Sequence, residues 1–163
     1  MKPYFLLSIL SLTLITVSCK KNKGDNNTIT TGNVTADSMI LYTNGGFTPQ
    51  PVWKFYKING QGAWEDTTSL PSVSNPNNFN VQMSATKYGQ VKFILNEVPA
   101  QLLNENNSQY VNGVNLADCP MRKVTVYING NTYVWYMEEC TDGMPSYVKP
   151  FADKVNTVFA NLK

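Results

Sequence analysis

The chain has 163 residues, 42% of them hydrophobic and 15% charged, with a net charge of +2 and no histidine. Without histidine there is no Ser-His-Asp or Cys-His catalysis, no histidine general base, and few routes to a zinc or copper site. Basic and acidic residues balance from residue 38 onward, so no basic face is available to meet nucleic-acid phosphates.

The N-terminus reads as a targeting segment. Lys2 precedes an apolar run from Tyr4 to Val17, too short to span a bilayer comfortably but long enough for a signal-peptide core. The run ends in Thr16-Val17-Ser18-Cys19, which resembles the lipobox of bacterial lipoproteins, with Thr16 where leucine is usual. That likeness implies a signal peptide over residues 1–18 and a lipid anchor on Cys19. More than one acyl chain would hold the protein stably on a membrane. Residues 19–37 are polar and without hydrophobic period, as expected of a flexible tether. Lys20 is not the aspartate associated with inner-membrane retention in enteric bacteria, and no acidic residue follows the cysteine directly. The expected location is therefore the outer membrane, facing the periplasm.

Residues 38–163 are enough for one small domain. Strands are expected at Met39 to Thr43, Val52 to Ile58, around Ala63-Trp64, and from Phe79 to Met83. A Pro-, Ser- and Asn-rich loop lies between Leu70 and Asn78. Val91, Ile94, Leu95 and Val98 keep helical spacing up to Pro99, although alternate positions in 86–98 would also suit a strand. Helix is the expectation there, followed by a short helical turn at Pro99 to Leu103.

The next segment is the most informative. Val124 to Ile128 and Thr132 to Met137 are rich in β-branched and aromatic residues, and Asn129-Gly130 between them is a strong hairpin signal. A two-residue turn sets Ile128 opposite Asn131, Val126 opposite Tyr133, and Val124 opposite Trp135. The same register brings Cys119 opposite Cys140 in a non-hydrogen-bonded pair, where a disulfide is sterically reasonable. Val124, Val126, Ile128, Tyr133, Trp135 and Met137 then share the core face. Lys123, Thr125, Tyr127, Thr132, Tyr136 and Glu138 share the other face. Asp118, Glu138, Glu139 and Asp142 are the densest acidic group and read as a solvated hairpin end. Val148, Phe151, Val155, Val158, Phe159 and Leu162 form one stripe of a C-terminal amphipathic helix, entered through an Asp142-Gly143 turn. The expected fold is α+β: a single domain with an antiparallel sheet, two helices on one face, and a disulfide-stapled hairpin.

This layout resembles a group of small Bacteroidetes lipoproteins of unknown function. The matching pieces are Asn44-Gly45-Gly46-Phe47 after the first strand, Val98-Pro99-Ala100-Gln101-Leu102-Leu103 after the first helix, the hairpin, and Pro145-Ser146-Tyr147-Val148 before the last helix. The same order is similar to emfourin-like inhibitors of thermolysin-like metalloproteases, which begin with a comparable Gly-Gly-Phe loop. One expectation is a binding module, an inhibitor as the resemblance implies, that presents the stiff, aromatic loop of Asn44, Gly45, Gly46 and Phe47 to an envelope or secreted protein. The alternative for the loop is that its glycines only permit a tight turn and Phe47 fills the core. The competing expectation is a structural or assembly component of the envelope, with Tyr127 and Tyr136 marking its contact patch. Neither expectation includes catalysis, a cofactor, a metal or nucleic acid.

Overall fold

The computed structural model describes residues 32–43, 54–67, 78–111 and 119–163. In chain order the strands are β1 (Asn33–Val34), β2 (Ser38–Thr43), β3 (Lys54–Asn59), β4 (Gly62–Asp66), β5 (Val81–Gln82), β6 (Val98–Pro99), β7 (Gln109–Tyr110), β8 (Met121–Ile128) and β9 (Asn131–Glu138). The helices are α1 (Ala85–Val91), which continues as a 3-10 turn over Lys92–Asn96, and α2 (Lys149–Leu162). A second 3-10 turn covers Ala100–Asn104. Seven strands make one sheet in the order β5-β4-β3-β2-β8-β9-β7, and β1 pairs with β6 apart from it. The fold is α+β.

The hairpin follows from its turn. Asn129 and Gly130 both have positive φ, +49° and +77°, as a type I′ turn needs. Pairing then runs from Ile128–Asn131 through Val124–Trp135 to Met121–Glu138. Val124, Val126, Trp135 and Met137 are buried on one face, with Tyr133 packed at the edge of the same core. All six residues of the α2 stripe are buried against them. Pro150 sits in the first turn of α2, where its missing N–H costs nothing, and Gly143 takes the left-handed conformation (φ +87°) before it. Helix α1 starts at Ser84, whose hydroxyl accepts from the Lys87 amide, and lies beside α2 on the same face. The disulfide joins Cys119 and Cys140 just beyond the ladder, with Cα atoms 5.7 Å apart. Glu139 N donates to Pro120 O at 2.9 Å, so pairing frays only at the proline that has nothing to donate.

Four expectations are corrected. The sheet is mixed, because β7 pairs parallel with β9. The indole of Trp135 donates to the carbonyls of Leu102 and Glu105, which brings the chain to the free edge of β9 near Val134. From there Asn107 N donates to Val134 O, and Tyr136 N donates to Ser108 O, so the edge is covered. Second, Val98 is not helical: the 3-10 turn ends at Asn96 and Val98 pairs with Val34 in a strand. Third, the strand expected from Phe79 to Met83 shrinks to Val81–Gln82, two residues at the sheet edge. Fourth, residues 33–37 belong to the fold rather than to a tether. Ala36 is buried, Ala36 N donates to Leu95 O, Asp37 N donates to Tyr127 O, and Asp37 Oδ2 accepts from Asn129 N at 2.7 Å.

One carboxylate locks the covering segments together. Glu105 accepts from Tyr110 at 2.5 Å and from Tyr147 at 2.7 and 2.8 Å, joining the second 3-10 turn, β7 and the approach to α2. Burial, then the bond to Glu105, pushes the Tyr147 phenol up to about 12. Burial and Glu65 push Tyr56 to the same value. In the unfolded chain both ionise near 10.0. Their contribution to stability is therefore complete below that pH and is lost as pH rises through 10 toward 12. The denaturation midpoint should hold up to about pH 10 and fall above it, less steeply in Tyr147→Phe, as read by urea melts across that range. Separately, the Cys119→Ser/Cys140→Ser double variant should lose about 3 kcal/mol, and the oxidised parent should show no reactive thiol at either position.

Candidate functional site

The register assigns each connection to one end of the sheet. Strand β2 starts at Ser38, opposite Asn59 and Tyr127, and ends at Thr43, opposite Lys54 and Arg122. The Ser38 end holds the arrival of the chain at Asp37 and two tight turns, at Gly60-Gln61 and Asn129-Gly130. The Thr43 end is different. Thr43 and Lys54, Thr67 and Asn78, and Val111 and Cys119 flank three longer connections, and all three leave from this end.

The residues at that end are tied down by side chains. The alternation of β8 puts Arg122 on the core face, 4% exposed. Its guanidinium donates to Thr43 Oγ1, meets Glu139 at 2.6 Å, and lies over the Phe159 ring at 4.4 Å. Burial pulls its pKa down and Glu139 opposes that pull, so the group stays charged. Asn156 Nδ2 on α2 donates to Glu139 O at 2.7 Å, extending the tie to the helix. On the neighbouring strands Lys54 pairs with Glu65, and Asn78 N donates to Asp66 Oδ2 at 3.2 Å. Lys149 bridges Asp142, Asp153 and Thr141 at the start of α2.

The acidic group at the hairpin end is thus divided between two cations, with Glu139 on Arg122 and Asp142 on Lys149. Among the described residues no three acidic or cysteine side chains converge as metal ligands. Asp118, Cys19 (the expected lipid anchor), and the loop residues Asn44, Gly45, Gly46 and Phe47 lie outside the described residues. Cys119 and Cys140 are paired at this same end. Arg122 is not singled out by the sequence, and Glu139 is placed there only within a solvated acidic group, without its cation. The signal for Arg122 was present, since it continues the even-numbered core positions Val124, Val126 and Ile128.

The face of the sheet away from the helices is aromatic. Its central rows run Trp64–Lys57–Ile40–Thr125–Val134 and Asp66–Phe55–Tyr42–Lys123–Tyr136. Tyr42 and Phe55 stack at 4.7 Å, and Lys57 lies 5.9 Å from the Phe79 ring. The indole of Trp64 covers Gly62 so closely that a Cβ there would sit 2.9 Å from it. Tyr136 is 36% exposed, while Tyr127 is half-buried.

Compared with known proteins, the chain matches no family model, no curated protein and no solved structure.

Removing the Arg122 guanidinium while keeping its bulk tests the base of the loop end. Arg122→Met should cost about 2–3 kcal/mol, below the usual loss for breaking a buried pair because Glu139 still reaches water. Amide exchange at Thr43 and Lys54 should quicken by more than the global loss explains. Unchanged exchange there would mean that Arg122 only fills space.

Proposed function

We propose that the protein is a lipid-anchored binding module of the bacterial cell envelope, held through Cys19 to the outer membrane on its periplasmic side. It offers the Thr43 end of its sheet to a protein partner. One observation carries this reading: the chain arrives at one end of the central strand β2, and the three longer connections leave from the other. Strand β2 has six residues, a span of roughly 17–20 Å. An anchor on the N-terminal side therefore joins the fold at the end opposite the loops and leaves the loop end free for a partner. Function concentrates on connections that a stiff scaffold positions, and here the scaffold is stiffened by the disulfide and by Arg122.

The loop Asn44-Gly45-Gly46-Phe47 is the proposed contact, joined to the fold at Thr43. Its likeness to emfourin-like inhibitors names the partner class to try first, a thermolysin-like metalloprotease. A second reading, a structural component of the envelope, is favoured by the exposed Tyr136 on the aromatic face. No catalytic role is proposed: among the described residues the candidate site offers no activated nucleophile or general base.

Affinity capture from envelope and secreted fractions separates the two readings. The first expects specific recovery of a metalloprotease, lost with Phe47→Ala while the melting temperature is unchanged. Recovery of other envelope proteins, lost with Tyr136→Ala instead, would replace it with the structural reading. In both cases Cys19→Ala should release the protein from the membrane fraction; retention would overturn the anchor.

A further inference from the structure

A cavity of about 580 Å³ opens at the turn end of the sheet, opposite the loop end. Its walls come from residues 35–37, from Gly60 in the β3–β4 turn, from α1, and from the 3-10 turn that continues it. That volume lies within the range of roughly 300–1,000 Å³ typical of small-molecule sites.

Two opposite charges line this cavity without meeting. Asp37 and Lys92 are both exposed on it, and neither is in an ion pair with the other or with any described residue. Asp37 is held in place, because its Oδ2 accepts from Asn129 N, which leaves its other oxygen for a donor. Asn96 is held likewise, with Oδ1 accepting from Thr35 Oγ1 at 3.0 Å and its amide NH2 left over. Phe93, half-buried, supplies an apolar wall.

The glycines point the same way. Gly89 lies inside α1 and lines the cavity, and a Cβ added there would meet nothing within 4 Å. Alanine would fit without a clash and would favour the helix, since glycine is among the weakest helix formers. Gly60, on the facing wall, is equally open. Both glycine positions on the cavity are therefore open, and neither side is filled by a neighbouring side chain.

We propose that this cavity binds a zwitterion with an apolar side chain, an amino acid or the termini of a short peptide. The ligand ammonium meets Asp37, its carboxylate meets Lys92 and the Asn96 amide, and its side chain lies on Phe93. A ligand of this kind bridges two charges that the fold leaves apart, through charge-assisted bonds of the stronger sort.

The test follows the backbone amides of Gly60 and Gly89 by NMR while the folded protein is titrated with L-leucine or L-leucyl-L-leucine. N-acetyl-L-leucyl-L-leucine amide serves as the uncharged control. A saturable shift at both glycines is expected with at least one zwitterion, and affinity for the control should be at least about tenfold lower. Response to L-leucine identifies a free amino acid as the ligand; response to the dipeptide alone identifies a peptide. Lys92→Gln and Asp37→Asn should each weaken binding about tenfold, and Gly89→Leu should abolish it with the fold intact. Should Gly89→Leu misfold, the exposed Lys92→Gln decides. Absence of any shift at about 1 mM probe, or equal binding of the control, overturns the proposal.

Discussion

A two-residue turn at Asn129-Gly130 permits one pairing of β8 with β9, and that pairing decides which side chains enter the core. A slip of one residue would leave Val124 and Val126 on the core face but carry Trp135 and Met137 to the outer one. In the observed register Trp135 is fully buried, and its indole reaches three other parts of the chain. Its N–H is shared by Leu102 O and Glu105 O, and its ring meets Phe151 of α2 edge-on at 6.4 Å. The second 3-10 turn, the covered edge of β9 and the seat of α2 all depend on that indole. The turn itself is held from outside by the Asp37 carboxylate, so the arriving chain docks on the element that sets the register.

Local patterns explain why some of this was legible in the sequence and some was not. The α2 stripe and the hairpin each carry their signal within a few residues, as a 3.6 period and as a turn with positive φ. The alignment of Cys119 with Cys140 is simply that register carried outward. Residues 33–37 carry no such signal. Only Ala36 among them is buried, and their partners, Leu95 and Tyr127, lie far along the chain. Val98 keeps helical spacing, and its pairing with Val34 became available only once those residues docked. Strand β7 is two residues long, and its direction follows from where Trp135 draws the chain. Arg122 was hidden by its chemistry: a charge suggests surface, although alternation placed it in the core.

At the candidate site the legible part was the disulfide, and the rest depended on tertiary contacts. Most of the residues that begin and end the longer connections are held by something specific. Thr43 is held by Arg122, Lys54 by Glu65, Asn78 by Asp66, and Cys119 by Cys140. Bringing polar side chains here has a cost, since Arg122 Nε, Tyr56 Oη and Asn156 Oδ1 are buried without partners. Stacking of the guanidinium on Phe159 and its bond to Glu139 offset part of it.

That cost falls where it is useful to a binding scaffold. A connection whose ends are fixed has less freedom to lose when it meets a partner, and the loss of that freedom strongly opposes association. The cross-link acts in the same sense without touching the core, because Cys119 and Cys140 lie on the outer-face side of the hairpin, 21 residues apart. Among the described residues the opposite end holds the arriving chain, two tight turns and the walls of a cavity. Strand β2, central and paired on both sides, keeps the two ends at a set distance. Rigidity at one end and open volume at the other thus follow from one strand order, which is what the proposed contact loop and the proposed small-molecule cavity would each need.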